Sequence, residues 1–352
     1  MSEQHKLLQW MYECDEKQVA IASVIHIEGS AYRHPGAQMM IGAQGSYIGM
    51  ISGGCLEEDL MIRARSVMQT MKSTIVDYDM RAEDDLGWGK GAGCNGKVYV
   101  SIETVDLKNE EAVNGIRDAV FHIQRGQTLY RIANLDEDGS TTPHYYFVSG
   151  EPVKAGSPPV DQEIINSFED SSKPAVFLTG SGRSRILVER IEPKPVVYVF
   201  GAGLDAEPVV KHLGSLGFNP VVVDPVKERL SRDIFPEAEA FRWMKPQDFF
   251  QMEQIPSGSY ALVMTHRFQD DKVILQELLK KQKNLAYIGI LGPKKRTRRL
   301  LSSGTIPKAV HSPVGLDIGA EGAEEIAISI AAELIQVRRQ QKARTNSKKA
   351  VM

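Results

Sequence analysis

The chain has little cysteine. Only Cys14, Cys55 and Cys94 occur among 352 residues, too few for a disulfide framework, and the odd number leaves at least one thiol free. No CxxC pair and no histidine pair at ligand spacing is present, which excludes the common zinc patterns. Long apolar runs are missing too; none approaches the ~20 residues a membrane helix needs. Neither sign of charge dominates: 42 basic and 45 acidic side chains leave a net charge of −3. That excludes a dedicated nucleic-acid or membrane-surface protein, which carries a clear basic excess. Glycine (30) and proline (17) stay well below low-complexity levels. The opening MSEQHKLLQWMYECDEK is too polar for a secretory signal, so a cytoplasmic, reducing setting is expected.

What is present is enough for two domains at ~150 residues each. The expected fold class is α/β, an N-terminal α+β domain followed by a C-terminal Rossmann-like domain with a parallel sheet. Pro193 and Pro195 mark the boundary, because neither a central strand nor a helix interior tolerates such spacing. Residues 1–190 carry strand-like runs at 19–26, 37–41, 46–50, 98–103, 128–134 and 145–147, with helices expected at 56–71 and 109–124 and an amphipathic first helix carrying Cys14. From 196 to 337, apolar strands at 196–200, 220–224, 259–265 and 285–291 alternate with helices at 205–216, 270–281 and 323–336. That alternation is the pattern of a doubly wound parallel sheet. Residues 338–352 hold Arg338, Arg339, Lys342, Arg344, Lys348 and Lys349 without an acid, and read as a solvated basic tail.

Three loops carry chemistry. Gly201-Ala202-Gly203-Leu204-Asp205-Ala206 follows a strand and opens a helix, and Asp224 ends the next strand. This is the context of a dinucleotide fingerprint, with glycines for the turn and the pyrophosphate and an acid for ribose hydroxyls. Asp205 opposes phosphate there, and Lys227 and Arg229 leave NAD against NADP undecided. His266, at the carboxyl end of a later strand, is a candidate acid, base or phosphate ligand, or a helix cap. Lys294, Lys295, Arg296, Arg298 and Arg299 crowd another helix start, as an anion site or a solvated face.

The other two loops hold cysteines. Ser52-Gly53-Gly54-Cys55 runs into a helix whose amino terminus favours a thiolate, while Glu57, Glu58 and Asp59 oppose it. Residues 87–96 contain five glycines, among them Gly93 beside Cys94, as a loop that wraps a ligand closely. Glycine with cysteine suits soft-metal or sulfur chemistry plus backbone recognition of a polar ligand. The candidate cofactor-binding residues are thus Cys55, Cys94, Gly53, Gly54, Gly93, Gly201, Gly203, Asp224 and His266.

In order along the chain, GSAYRHPGAQMMI, GMISGGCLEEDL, GAGCNG, VVYVFGAGLDAEPVV, VMTHRFQDD, YIGILGPKKRTRRLL and SPVGLDIGAEGAEEIAISIAAELI together resemble the XdhC/CoxI family. These are maturation factors of molybdenum hydroxylases such as xanthine dehydrogenase, an enzyme type of purine catabolism. The resemblance implies a chaperone that binds the molybdenum cofactor (molybdopterin) as cargo. It further implies protection of that cargo, presentation to a cysteine desulfurase for sulfuration, and delivery to the apo-hydroxylase. By position, Cys55 and Cys94 match the family's two motif cysteines and are candidate contacts to molybdenum. Two positions depart from the family pattern: Leu204-Asp205 stands where His-Val commonly follows GAG, and Asn95 where the cysteine loop commonly has glycine. The rival reading is an NAD(P)-dependent oxidoreductase with His266 as proton donor, although no hydride-transfer set can be assigned and a non-catalytic factor is favoured. A homodimer is expected, with neither nucleic acid nor membrane as partner.

Overall fold

A computed structural model describes residues 3–81, 95–135, 145–148, 151–152, 175–179, 185–301 and 304–349. Its contacts divide the chain into two compact units, Glu3–Pro193 and the stretch from Lys194 onward.

The first unit is built around one long strand. β1 (Gln18–Gly29) pairs antiparallel with β2 (Gln38–Gly42) on one side and with β5 (Gly96–Asp106) on the other. β3 (Tyr47–Gly49) and β4 (Thr74–Asp79) close the edges, giving the order β3-β2-β1-β5-β4. Side chains alternate across a strand, so β1 feeds two cores. Val19 and Ile21 pack with Leu7, Leu8 and Met11 of α1 (Glu3–Glu13) and with Ile116 and Val120 of α3 (Glu110–Gln124). Ala20, Ala22 and Val24 face Leu60, Ala64 and Val67 of α2 (Glu57–Thr70). Each of the larger side chains, fully buried, is worth about 1.5–3 kcal/mol. Cys14 lies just past α1; its thiol reaches Met11 O at 3.6 Å, and burial pushes its pKa up.

A second sheet in this unit has the order β8-β7-β6-β10-β9, with β6 (Leu129–Asn134) and β10 (Arg185–Ile191) at its centre, flanked by β7 (Tyr145–Val148), β8 (Glu151–Pro152) and β9 (Ala175–Thr179). A buried polar cluster ties it to the first sheet. Arg131 on β6 binds Glu103 of β5 at 2.6 Å and Glu189 of β10 at 2.6 Å, and Gln38 of β2 donates to both Glu189 oxygens.

The second unit is a six-stranded parallel sheet in the order β13-β12-β11-β14-β15-β16. Its strands are β11 (Val196–Phe200), β12 (Asn219–Asp224), β13 (Ala240–Trp243), β14 (Tyr260–Val263), β15 (Tyr287–Ile290) and β16 (Val310–His311). The order reverses direction between β11 and β14, and ligands of such sheets bind at the carboxyl edge of that switch point. One face packs on α4 (Ala206–Ser215) and α8 (Gly322–Lys349), the other on α5 (Pro246–Met252), α6 (Phe268–Lys280) and α7 (Lys294–Leu301).

One sequence expectation changes here. The final helix runs on to Lys349 instead of ending near residue 336. Arg338 is not a solvated charge: its guanidinium lies 4.4 Å from the Phe218 ring centroid and donates to Leu216 O at 3.2 Å. Burial of its aliphatic stem against the aromatic explains why the basic stretch stays helical at this point.

Candidate functional site at the cysteine loops

Ser52–Cys55 sits between β3 and α2. Gly53 and Gly54 have φ of +94° and +119°, a region L side chains rarely adopt, and a Cβ added at Gly53 would meet the Tyr32 ring at 3.4 Å. The left-handed turn points the loop's amides inward, and one side chain collects them. The Glu57 carboxylate accepts from Ile51 N (3.0 Å), Ser52 N (2.8 Å) and Gly53 N (3.3 Å) on one oxygen. Its other oxygen accepts from Ser52 Oγ (2.6 Å), Gly54 N (2.9 Å) and Leu56 N (3.2 Å).

Burial alone would raise this carboxyl's pKa. The hydrogen bonds from the Ser52 hydroxyl and from the loop amides outweigh it, and hold the group at about 2. Glu57 also begins α2, where a negative charge meets the positive end of the helix dipole. A depressed carboxyl contributes stability that is present above the ordinary value of 4.5 and is lost as pH falls through the folded value. The thermal midpoint of the wild type is therefore expected to exceed that of Glu57→Gln at pH 5–7, and the gap to close as pH falls toward 2. A pH series of melting curves on both proteins checks this; a gap independent of pH contradicts it.

Cys55 is left on the outside of this turn, exposed. It borders a small hollow lined by Ala31, Tyr32, Ile51, Ser52, Leu56, Met80 and Val98, mostly apolar surface. Cys94 and Gly93 lie outside the described residues. The chain leaving their loop is described, and it returns to the same place. Ser30 N donates to Asn95 O at 3.2 Å, and Met80 N donates to Gly96 O at 2.9 Å. A Cβ on Gly96 would meet the carbonyls of Glu28 and Ser30 at 2.5 Å, so only glycine allows this approach. Ser30 directly precedes Ala31 and Tyr32 of the hollow. The exit of the second cysteine loop and the first cysteine loop thus share one end of the sheet.

At the switch point of the parallel sheet, the glycine loop is held by its own neighbours. Gly201, at φ +115°, lies against the backbone of Met264 and Thr265, where a Cβ would come within 2.4 Å of Met264 O. Asp224 accepts from Ala202 N at 2.9 Å and from Val226 N at 2.7 Å. Arg229 donates to Ala202 O at 2.8 Å and pairs with Glu207, while Lys227 stands over the Trp243 ring at 4.8 Å. Gly203 is covered by the Asp205 carboxylate, which turns away from capping α4 and meets His266 Nε2 at 2.8 Å.

His266 does not cap the next helix; Arg267 occupies that position. Its backbone is left-handed at φ +58°, a conformation that costs about 1–2 kcal/mol outside glycine. The preceding Thr265 is anchored through its hydroxyl to Asp271 at 2.5 Å, and Asp271 pairs with Arg296 at 2.5 Å. Of the basic run at α7, Arg296 is thereby used inside the fold, and Arg299 lies over Phe268 at 5.6 Å. Among the described residues no group of three or more His, Cys, Asp or Glu is arranged to hold a metal ion. No described helix is long and apolar enough to cross a membrane.

Comparison with known proteins decides the family. Residues 15–79 match the XdhC and CoxI family, and residues 197–334 match the XdhC Rossmann domain. A probable xanthine dehydrogenase subunit of Bacillus subtilis (strain 168) is 35% identical over 336 residues, covering 95% of this chain and 97% of that protein. The chain belongs to the XdhC/CoxI family. A crystal structure of a xanthine dehydrogenase from Bacillus halodurans has the same fold, with a TM-score of 0.82 at 36% identity over 97% of this chain and 96% of that one. The uncharacterized protein YqeB of Escherichia coli (strain K12) is 28% identical over 155 residues, 41% of this chain and 28% of its own.

An XdhC/CoxI member with this architecture is an accessory protein associated with xanthine dehydrogenase. The sequence reading of that family, of the mixed N-terminal domain and of the Rossmann-like half stands. Sequence reasoning did not anticipate Glu57 as the organiser of the Cys55 loop. An acid at the first position of a helix entered through Ser-Gly-Gly is the available signal, and from sequence alone it says only that a charge opposes the thiolate.

Proposed function

We propose that this protein binds the molybdenum cofactor as cargo, supports its sulfuration by a cysteine desulfurase, and delivers it to an apo molybdenum hydroxylase of the xanthine dehydrogenase type. One observation carries the reading: an exposed thiol, Cys55, stands at an apolar hollow beside which Asn95 and Gly96, following Cys94 in the chain, are hydrogen-bonded. A thiol bordering an apolar hollow suits the soft metal–sulfur end of the cargo. The small hollow suits that end and not the whole pterin. Cys55, and Cys94 by position, would contact the metal or its sulfur, and Gly53, Gly54 and Gly93 would let backbone approach it. Working as a cytoplasmic homodimer belongs to the same proposal.

The rival, an NAD(P)-dependent oxidoreductase, draws on Gly201, Gly203, Asp224 and His266. Asp224 and His266 already have partners inside the fold, and a Cβ at Gly201 would run into the Met264 backbone, so these features favour the rival less than its sequence suggests.

Anaerobic ultrafiltration with the molybdenum cofactor, reading retained molybdenum and pterin fluorescence, tests the proposal. Near-stoichiometric retention is expected for the wild type. Cys55→Ser should retain at least about tenfold less at limiting protein, equivalent to ~1.4 kcal/mol of binding. No retention by wild type, with NADH or NADPH retained instead, would turn the assignment to the oxidoreductase.

A further inference from the structure

Most amides of the turn leading into α2 are taken by one carboxylate belonging to the chain itself. Glu57 accepts from five backbone N–H groups and the Ser52 hydroxyl at 2.6–3.3 Å. A turn of this kind, with two glycines at positive φ leading into a helix amino terminus, is otherwise an anion-binding concavity. Here the concavity is filled, and a full negative charge sits two residues from the Cys55 thiol. The neighbouring acids differ. Asp59 is occupied by Arg63 at 2.5 Å and Tyr78 at 2.6 Å, and Glu58 is exposed on the helix.

We infer that Glu57 is a specificity-determining residue for the Cys55 site: it fills the anion cradle beside the thiol, and so admits a neutral or thiophilic centre while excluding free oxyanions such as phosphate, sulfate or molybdate. An oxyanion reaching Cys55 finds the amides of Ser52, Gly53, Gly54 and Leu56 already engaged by Glu57 and meets a fixed like charge. A soft centre that bonds to sulfur needs neither. The selection is electrostatic and local, and it leaves the thiol accessible. This deepens the proposed function by using the same thiol, and it rests on Cys55 being the contact. The test below reads the chemistry of Cys55 without any cofactor, so its failure is distinct from a failure of cargo binding.

The test uses two alkylating reagents of nearly equal shape, neutral iodoacetamide and anionic iodoacetate. Rates at Cys55 are followed on the full-length chain at fixed pH and low salt, by mass spectrometry of the peptide containing it. The readout is the ratio of the two rates, because thiol accessibility and ionisation affect both reagents alike. In the wild type, the preference for iodoacetamide is expected to exceed that of N-acetylcysteine amide by about threefold, the size of one unit charge a few ångströms away through solvent. Added salt should shrink the excess. Glu57→Gln should abolish it, whereas Glu58→Gln should leave most of it in place. A wild-type ratio equal to that of the small thiol overturns the inference without requiring any variant to fold. So does an equal fall in both variants, since the effect would then be diffuse surface charge. As a second readout, calorimetric titration of the wild type with inorganic phosphate or molybdate should show no binding that Cys55→Ser removes; binding lost in that variant would also overturn the inference.

Discussion

Arg131→Met is expected to destabilise the N-terminal unit by about 3–5 kcal/mol, the size found when one partner is taken from a buried ion pair. Arg131 is 3% exposed, and its two carboxylate partners, Glu103 and Glu189, are 4% and 1% exposed. Removing the guanidinium leaves both acids in a site that water does not reach. Burial raises the Glu189 pKa even with Arg131 and Gln38 in place. A carboxyl raised in the folded state contributes stability that is present below its ordinary value and is lost as pH rises through the folded value. The deficit of Arg131→Met should therefore grow between pH 5 and pH 8. Urea unfolding at both pH values checks size and direction. Replacing all three residues by apolar ones of similar volume should recover most of the loss. A deficit below ~1 kcal/mol would mean that the cluster is hydrated in solution.

Gly201→Ala should cost on the order of 3 kcal/mol in the second unit. Two penalties coincide there: φ of +115° is strained for any L side chain, and the new methyl would come within 2.4 Å of Met264 O and 2.9 Å of Thr265 N. Both obstructing atoms are backbone held by the sheet, since Met264 N donates to Phe200 O, so neither can yield cheaply. Gly203→Ala supplies the contrast. Its methyl would meet the Asp205 carboxylate, a side-chain atom that can rotate away, and no positive φ is involved. Melting temperatures of the pair should separate clearly, with Gly203→Ala the milder change; equal losses would mean that the loop, and not the strand contact, determines the need for glycine.

The parallel sheet was legible because its strands are buried on both faces and read as short continuous apolar runs between helices. β11 begins and ends where the pattern places it, and β12, β14 and β15 differ by one or two residues at their ends. The strands that escaped notice have physical reasons. β4 is an edge strand with only Tyr78 buried, so TIVDYD lacks the alternation that marks a half-buried strand. β10 carries Glu189, whose charge suggests solvent until Arg131, distant in sequence, is seen beside it. The site divides in the same way. Cys55 was visible because Gly-Gly-Cys before a helix is a local signal. The partners of Asp224 were not, because an acid ending the second strand looks the same whether it awaits a ribose or holds Ala202 and Val226.

The packing of α8 against α4 bears on how the chain is made. Val209, Val210 and Leu213 of α4 share one core with Ala327, Ile330 and Leu334 of α8, yet α8 lies far downstream. During synthesis, β11 and α4 emerge well before the helix that covers them. The apolar side of α4 is then left bare for the time needed to translate the intervening strands. Such an interval is when nascent chains recruit holding chaperones or stick to one another. Slowing translation between Ser215 and Gly322 should therefore lower the yield of soluble protein without altering the stability of the molecules that do fold.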